Sequence, residues 1–219
     1  MKKRIKYMKK HFKKKAGREN EHINAILAQD TENALLRAKE VLTFSDDKYS
    51  DPIVIVTPNT DTDRRVRFRI TKLAKHVEVD VETTEEKVAV KKKHNKKKHN
   101  FDIRVDYDYA KLITIFLGEK SLFFHRSIMD YITGRVEEDV AHEIAYKDII
   151  GVSTFIGYDD PKNPRLSSVV LNLSLLNSEV IDIPLRNHYL YEQGELQSIL
   201  TEKEEYIIKT IKKAIRTVK

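Results

Sequence analysis

The sequence predicts an α+β protein: an antiparallel, β-rich body, bent into a sheet or open barrel, closed by a C-terminal amphipathic helix and preceded by an N-terminal helix and short antiparallel strands. Three observations carry this expectation. From residue 101 onward, short apolar runs, several alternating with polar residues, follow one another between turn-forming residues. A strongly one-sided helical pattern comes only after them, at 201–218. Strands in series followed by one helix do not fit a parallel sheet, whose neighbouring strands need a crossover helix between them.

In chain order, residues 1–17 hold nine basic side chains and no acid: Lys2, Lys3, Arg4, Lys6, Lys9, Lys10, Lys13, Lys14 and Lys15. Ile5, Met8 and Phe12 recur at three- and four-residue steps. A helix here has a thin apolar seam in a cationic cylinder, suited to an anionic bilayer or to nucleic acid; a solvated tail is the plainer reading. Residues 19–42 carry a broader stripe of Ile23, Ile26, Leu27, Ala34, Leu35, Ala38, Val41 and Leu42, interrupted by the polar stretch 29–32. The stripe predicts a helix packed on its own domain, with a partner helix or self-association as its other use.

Asp51-Pro52 opens a short strand, Ile53 to Val56, and a loop follows to Asp63. Val66, Phe68 and Ile70 then alternate with Arg65, Arg67 and Arg69, and Val77, Val79 and Val81 with Glu78, Asp80 and Glu82. Both patterns predict half-buried antiparallel strands, the arginine face pairing with the acidic face across them. A sharper reading makes Arg65, Arg67 and Arg69 phosphate contacts. Residues 91–100 repeat Lys-Lys-Lys-His-Asn, placing Lys91, Lys92, Lys93, Lys96, Lys97 and Lys98 in a cationic loop between two strands. A solvated low-complexity loop is the plainer account.

Hairpins are expected from Leu112–Leu117 with Leu122–His125, turning at 118–120, and from Ile128–Thr133 with Val140–Tyr146, turning at Gly134. A further β-branched run covers Ile149 to Ile156 and ends in a breaker cluster at 159–164. Val169, Leu171, Leu173 and Leu175 predict one strand, Asn177-Ser178 a turn, and Val180–Ile183 its partner, limited by Pro184 to an edge or an end. Thr201 and Glu204 have the spacing of a capping box. Ile207, Ile208, Ile211, Ala214, Ile215 and Val218 then share one face, with acids at the helix start and bases toward its end, as the helix dipole favours.

The runs Gly118-Glu119-Lys120-Ser121-Leu122-Phe123-Phe124 and Glu143-Ile144-Ala145-Tyr146-Lys147-Asp148-Ile149, then a hairpin and a terminal helix, resemble a bacterial PH-like (GRAM-like) domain over roughly 101–218. The resemblance implies a binding or scaffolding module, since this superfold serves lipid, peptide and protein ligands alike. In lipid-binding members a basic loop between the first two strands grips headgroups, and 91–98 would hold a similar place. The family's alternating Lys and Arg across that loop is missing here. The expected organisation is a basic tail (1–17), a helix-and-strand region (18–100) and a PH-like domain (101–219).

The net charge of +7 is concentrated in two segments. Outside 1–17 and 91–100, 26 basic residues face 34 acidic ones, a balance of −8. Such asymmetry points to an anionic partner more strongly than the total does. Without cysteine there is no disulfide framework, thiol nucleophile or thiolate metal site. No apolar run approaches the 18 or so residues of a membrane span, and the start is too polar for a signal peptide, so a cytoplasmic protein is expected, peripheral at the membrane in the lipid reading. The Walker, dinucleotide-binding, nucleophile-elbow and zincin motifs are missing, and no cofactor or metal is expected. His94 and His99 sit among lysines, poor company for a dication. His125, His142 and His188 are expected as satisfied or surface histidines. Asp102, Asp106 and Asp108 alternate like Glu78, Asp80 and Glu82, and exposed strand faces account for both sets without a nuclease site.

The leading expectation is therefore a non-catalytic adaptor whose basic segments meet lipid headgroups while the PH-like module binds protein or lipid. The alternatives are a nucleic-acid-binding protein using the same lysines and, less favoured, a metal-dependent nuclease.

Overall fold

The structure is a computed structural model that describes residues 2–43, 49–59, 64–73, 102–158, 167–186 and 200–218. It is α+β. Among the described residues there are three α-helices and three sheets, and none of the sheets closes into a barrel. Pairing is antiparallel except between β1 (Ala16–Arg18) and β3 (Phe68–Leu73), which run parallel. The expected acidic partner of β3, residues 77–82, lies outside the described residues, as does 91–100. Within them, β3 pairs with β4 (Asp102–Tyr107), with Arg69 opposite Asp106.

The central sheet has the order β2-β5-β6-β7, built from Ile53–Pro58, Tyr109–Leu117, Ser121–Asp130 and Arg135–Ala145. Strands from both sides of residue 101 thus share one sheet, with Ile55 opposite Ile113. Of the two hairpins expected over 112–146, the first forms, with Leu117 opposite Leu122 and Thr114 opposite His125, and the second is corrected. Residues 122–125 and 128–130 belong to one strand, β6, and Tyr131 to Gly134 form the turn into β7. His125, Arg126 and Ser127 look like a polar break in sequence, yet His125 and Ser127 are fully buried. A sheet covered on both faces loses the wet-face alternation by which strand ends are read.

One face of this sheet carries Ile55, Ile113, Ile115, Leu122, Phe124 and Ile144 into the main core. That core is completed by Leu171, Leu173 and Ile183 of the second sheet, β8-β9-β10 (Ile149–Tyr158, Ser167–Leu175, Val180–Arg186), and by Ile207, Ile208, Ile211 and Ile215 of α3 (Glu202–Val218). The expected helix, hairpin and turn therefore hold. Pro184 lies on the edge strand β10, where the register shifts between Pro184 and Arg186. In the turn, Ser178 takes φ 69° and Asn177 Oδ1 accepts the Glu179 N–H at 3.1 Å. The capping box closes both ways: the Thr201 N–H donates to Glu204 Oε2 at 2.8 Å, and the Glu204 N–H to Thr201 Oγ1 at 3.3 Å.

The other face of the central sheet meets two N-terminal helices, α1 (Lys2–Lys13) and α2 (Glu21–Val41). Met8, Phe12, Ile23 and Ala34 pack on Ala110, Leu112 and Met129, while Ala38 packs on Phe116 and Phe123. Asn20 caps α2, its side chain accepting from the Ile23 N–H at 3.1 Å.

His125 Nε2 lies 3.1 Å from Asp139, which also takes a hydrogen bond from Arg37 of α2. Burial lowers the imidazole below its ordinary 6.5, outweighing the pull of Asp139. The folded protein thus resists a proton that the unfolded chain accepts. The contribution of His125 to stability should be full above pH 6.5 and fall as pH drops through it. Urea unfolding at pH 7.5 and 5.5 should show that loss, and His125→Gln should shrink it; an equal loss in the variant would assign it to other groups.

Candidate anion-binding face

The basic N-terminus is a docked helix. Its seam turns inward: Met8 is fully buried, Phe12 is 3% exposed and Ile5 packs beside them. Polar attachments at Arg4 and His11 reinforce this. Arg4 makes a two-pronged pair with Asp30 of α2 and donates to the Tyr131 carbonyl at 2.9 Å. Gly134, at φ +75°, leaves room for it, since a Cβ there would sit 2.7 Å from the guanidinium carbon. His11 Nε2 meets Asp106 Oδ2 at 3.2 Å, and Arg69 donates to the His11 carbonyl at 3.0 Å.

Asp106 is the hub beneath the helix. Besides His11 it accepts from Thr71 Oγ1 at 2.8 Å and Arg104 Nε at 2.6 Å. Burial pushes its carboxyl up, but hydrogen bonds from His11, Arg104 and Thr71 with the Arg104 charge outweigh that and hold it below its ordinary 3.8. At neighbouring Asp108, burial dominates and raises the carboxyl, although the Arg67 N–H donates to it at 2.7 Å. These two aspartates are buried rather than set on the exposed strand face expected of them: α1 covers Asp106 through His11, and Asp108 is held by the Arg67 N–H. Their oxygens bond within the fold, and among the described residues no three His, Asp or Glu side chains gather as a metal site would require.

The predicted site residues thus divide. Lys2, Lys3, Lys6, Lys9, Lys10, Lys13, Lys14 and Lys15 are exposed, as are Arg65 and Arg67. Arg4, partly buried, and Arg69, buried, are anchors of the fold, and Lys91 to Lys98 lie outside the described residues. At about 100° per residue, Lys9, Lys2, Lys13, Lys6, Lys10 and Lys3 fan in that order across the outer side of α1. The face is roughly 18 Å long, at about 1.5 Å per residue.

This face is electrostatically uncomfortable. Lys2 and Lys3 oppose the positive end of the helix dipole, with no acid in the first turn to offset them. Lys2–Lys6, Lys6–Lys9, Lys6–Lys10 and Lys9–Lys13 are like-charge neighbours, each destabilising by about 0.2–0.5 kcal/mol. The underside anchors hold them together, and a polyanion on the outer side would relieve the repulsion.

A cavity of about 840 Å³ opens between α2, β2, β4 and the junction of β10 with α3, lined among others by Thr31, Val56, Arg104, Tyr131, Arg186 and Glu204. Arg104 is held by Asp106 and Arg186 by Glu204, so these guanidiniums are engaged by carboxylates of the fold. Among the described residues no helix is long and apolar enough to cross a membrane. Comparison with protein-family models, with curated proteins and with solved structures finds no match to this chain.

Proposed function

We propose that this protein is a non-catalytic binding module that holds the phosphate backbone of nucleic acid against the outer lysine face of α1. The observation that carries the reading is the docked helix: six lysines face solvent while the seam between them and the body is buried. A helix that lies in a bilayer must turn its apolar side to lipid. Here Met8 and Phe12 are committed to the core, which removes the insertion anchor and leaves charge as the means of attachment. The expectation of lipid headgroups uses the same lysines and has lost its second signal. The order of strands followed by a closing α3 supports the PH-like resemblance, and with it a binding rather than a catalytic role.

The test is binding to 20-nucleotide DNA and RNA and to phosphatidylserine vesicles across a salt series. Nucleic-acid affinity should fall steeply with salt, and Lys6→Gln, Lys9→Gln and Lys13→Gln together should flatten the log–log slope by about 2 to 3. An unchanged slope removes α1 from the interface. Binding to vesicles alone restores the membrane reading.

A further inference from the structure

We infer that Tyr7 is a base-stacking platform on the edge of the lysine face, and that the favoured partner is therefore single-stranded nucleic acid. The inference rests on the nucleic-acid reading above and narrows it. Every other exposed side chain of α1 is a lysine; Tyr7 is the exception, at 51% exposure. Tyrosine is a weaker helix former than lysine, so helix stability does not account for it. Nor does the core, which Ile5, Met8 and Phe12 already supply from this helix.

Its setting is specific. The His22 ring from the start of α2 meets the Tyr7 ring edge-to-face, with centroids 5.1 Å apart and planes at 71°. That contact braces the phenol against the start of α2, while half of its surface stays open. Lys3 and Lys10 lie one turn before and one turn after it on the same edge of the helix. The sequence of cation, ring and cation, with about 5–6 Å between neighbours, offers alternating contacts to phosphate and base. A charged track bearing an aromatic ring is the common device of proteins that hold single strands without reading sequence. In a duplex the base faces are already stacked on one another and unavailable to a side chain. A duplex would use the lysines and ignore the ring.

Fluorescence anisotropy with labelled single-stranded and duplex 20-mers tests this on the full chain. Tyr7→Ala should weaken single-strand binding by about 5- to 150-fold with the salt slope unchanged, because stacking releases no counterions. Tyr7→Phe, which keeps the ring, should bind like wild type, and duplex binding should be the same in all three proteins. The lysine triple variant should show the opposite pattern, with a flattened slope on both ligands. Circular dichroism and the urea midpoint establish that Tyr7→Ala keeps the fold. If Tyr7→Ala binds single strands as tightly as wild type while the lysine variant is impaired, the stacking inference is wrong and the phosphate-binding reading stands. If wild type binds neither ligand at physiological salt, both are wrong. Equal loss on single strand and duplex would also overturn the inference, since it would make Tyr7 a support for the lysines.

Discussion

Glu204→Ala should be among the most damaging single substitutions in this protein. Glu204 receives Arg186 Nε at 2.9 Å and Nη2 at 3.1 Å, and both side chains are nearly buried, at 7% and 5% exposure. The same carboxylate accepts the Thr201 N–H at the start of α3. Removing one member of a buried ion pair typically costs about 3–5 kcal/mol, chiefly because the other charge loses its compensation. Loss of the cap adds about 1 kcal/mol. Because α3 covers the main core and β10 is an edge strand, this pair also ties the last helix to the sheet it closes. The urea midpoint should fall accordingly, with Glu204→Gln between wild type and alanine, since its amide oxygen still accepts. A loss under about 1 kcal/mol in Glu204→Ala would show that the pair contributes little to holding α3 in place.

Asp106→Asn should produce the second large loss, about 3 kcal/mol, by turning an amide donor toward a site already filled with donors from His11, Thr71 and Arg104. The effect should reach α1, because His11 is one of its polar anchors. A double-mutant cycle with His11→Ala separates that contact from the rest, and an additive result would disconnect His11 from the hub. There is a pH signature as well. The folded carboxyl is held below 3.8, so its contribution is present above that value and lost as pH falls further, through the folded titration point. Acid unfolding below pH 3.8 should therefore be shallower in Asp106→Asn than in wild type.

Much of the architecture was legible in local pattern. Period 3.6 with a capping pair marked α3, and period 2 around Asn177-Ser178 marked β9 and β10, because each presents a single buried face to a single core. Legibility failed where an element is buried on two sides. In β6 the polar residues His125 and Ser127 point into the interior, so the strand looked like two. The candidate site was legible as a composition and not as a surface. The run of lysines was plain, but Arg4 and Arg69 belong to the same charge pattern and are spent on bonds within the fold.

By itself, then, the sequence determined the α+β class, the helix-closed strand body and the concentration of positive charge, since propensity, period and capping act within a few residues of one another. Tertiary structure alone decided that α1 is anchored rather than free, that Asp106 lies under it, and that the His22 ring meets Tyr7. The first two depend on contacts across gaps of 95 residues between His11 and Asp106 and 58 between His11 and Arg69. A buried charge gains its partner only when the chain folds, and local periodicity carries no trace of which partner that is.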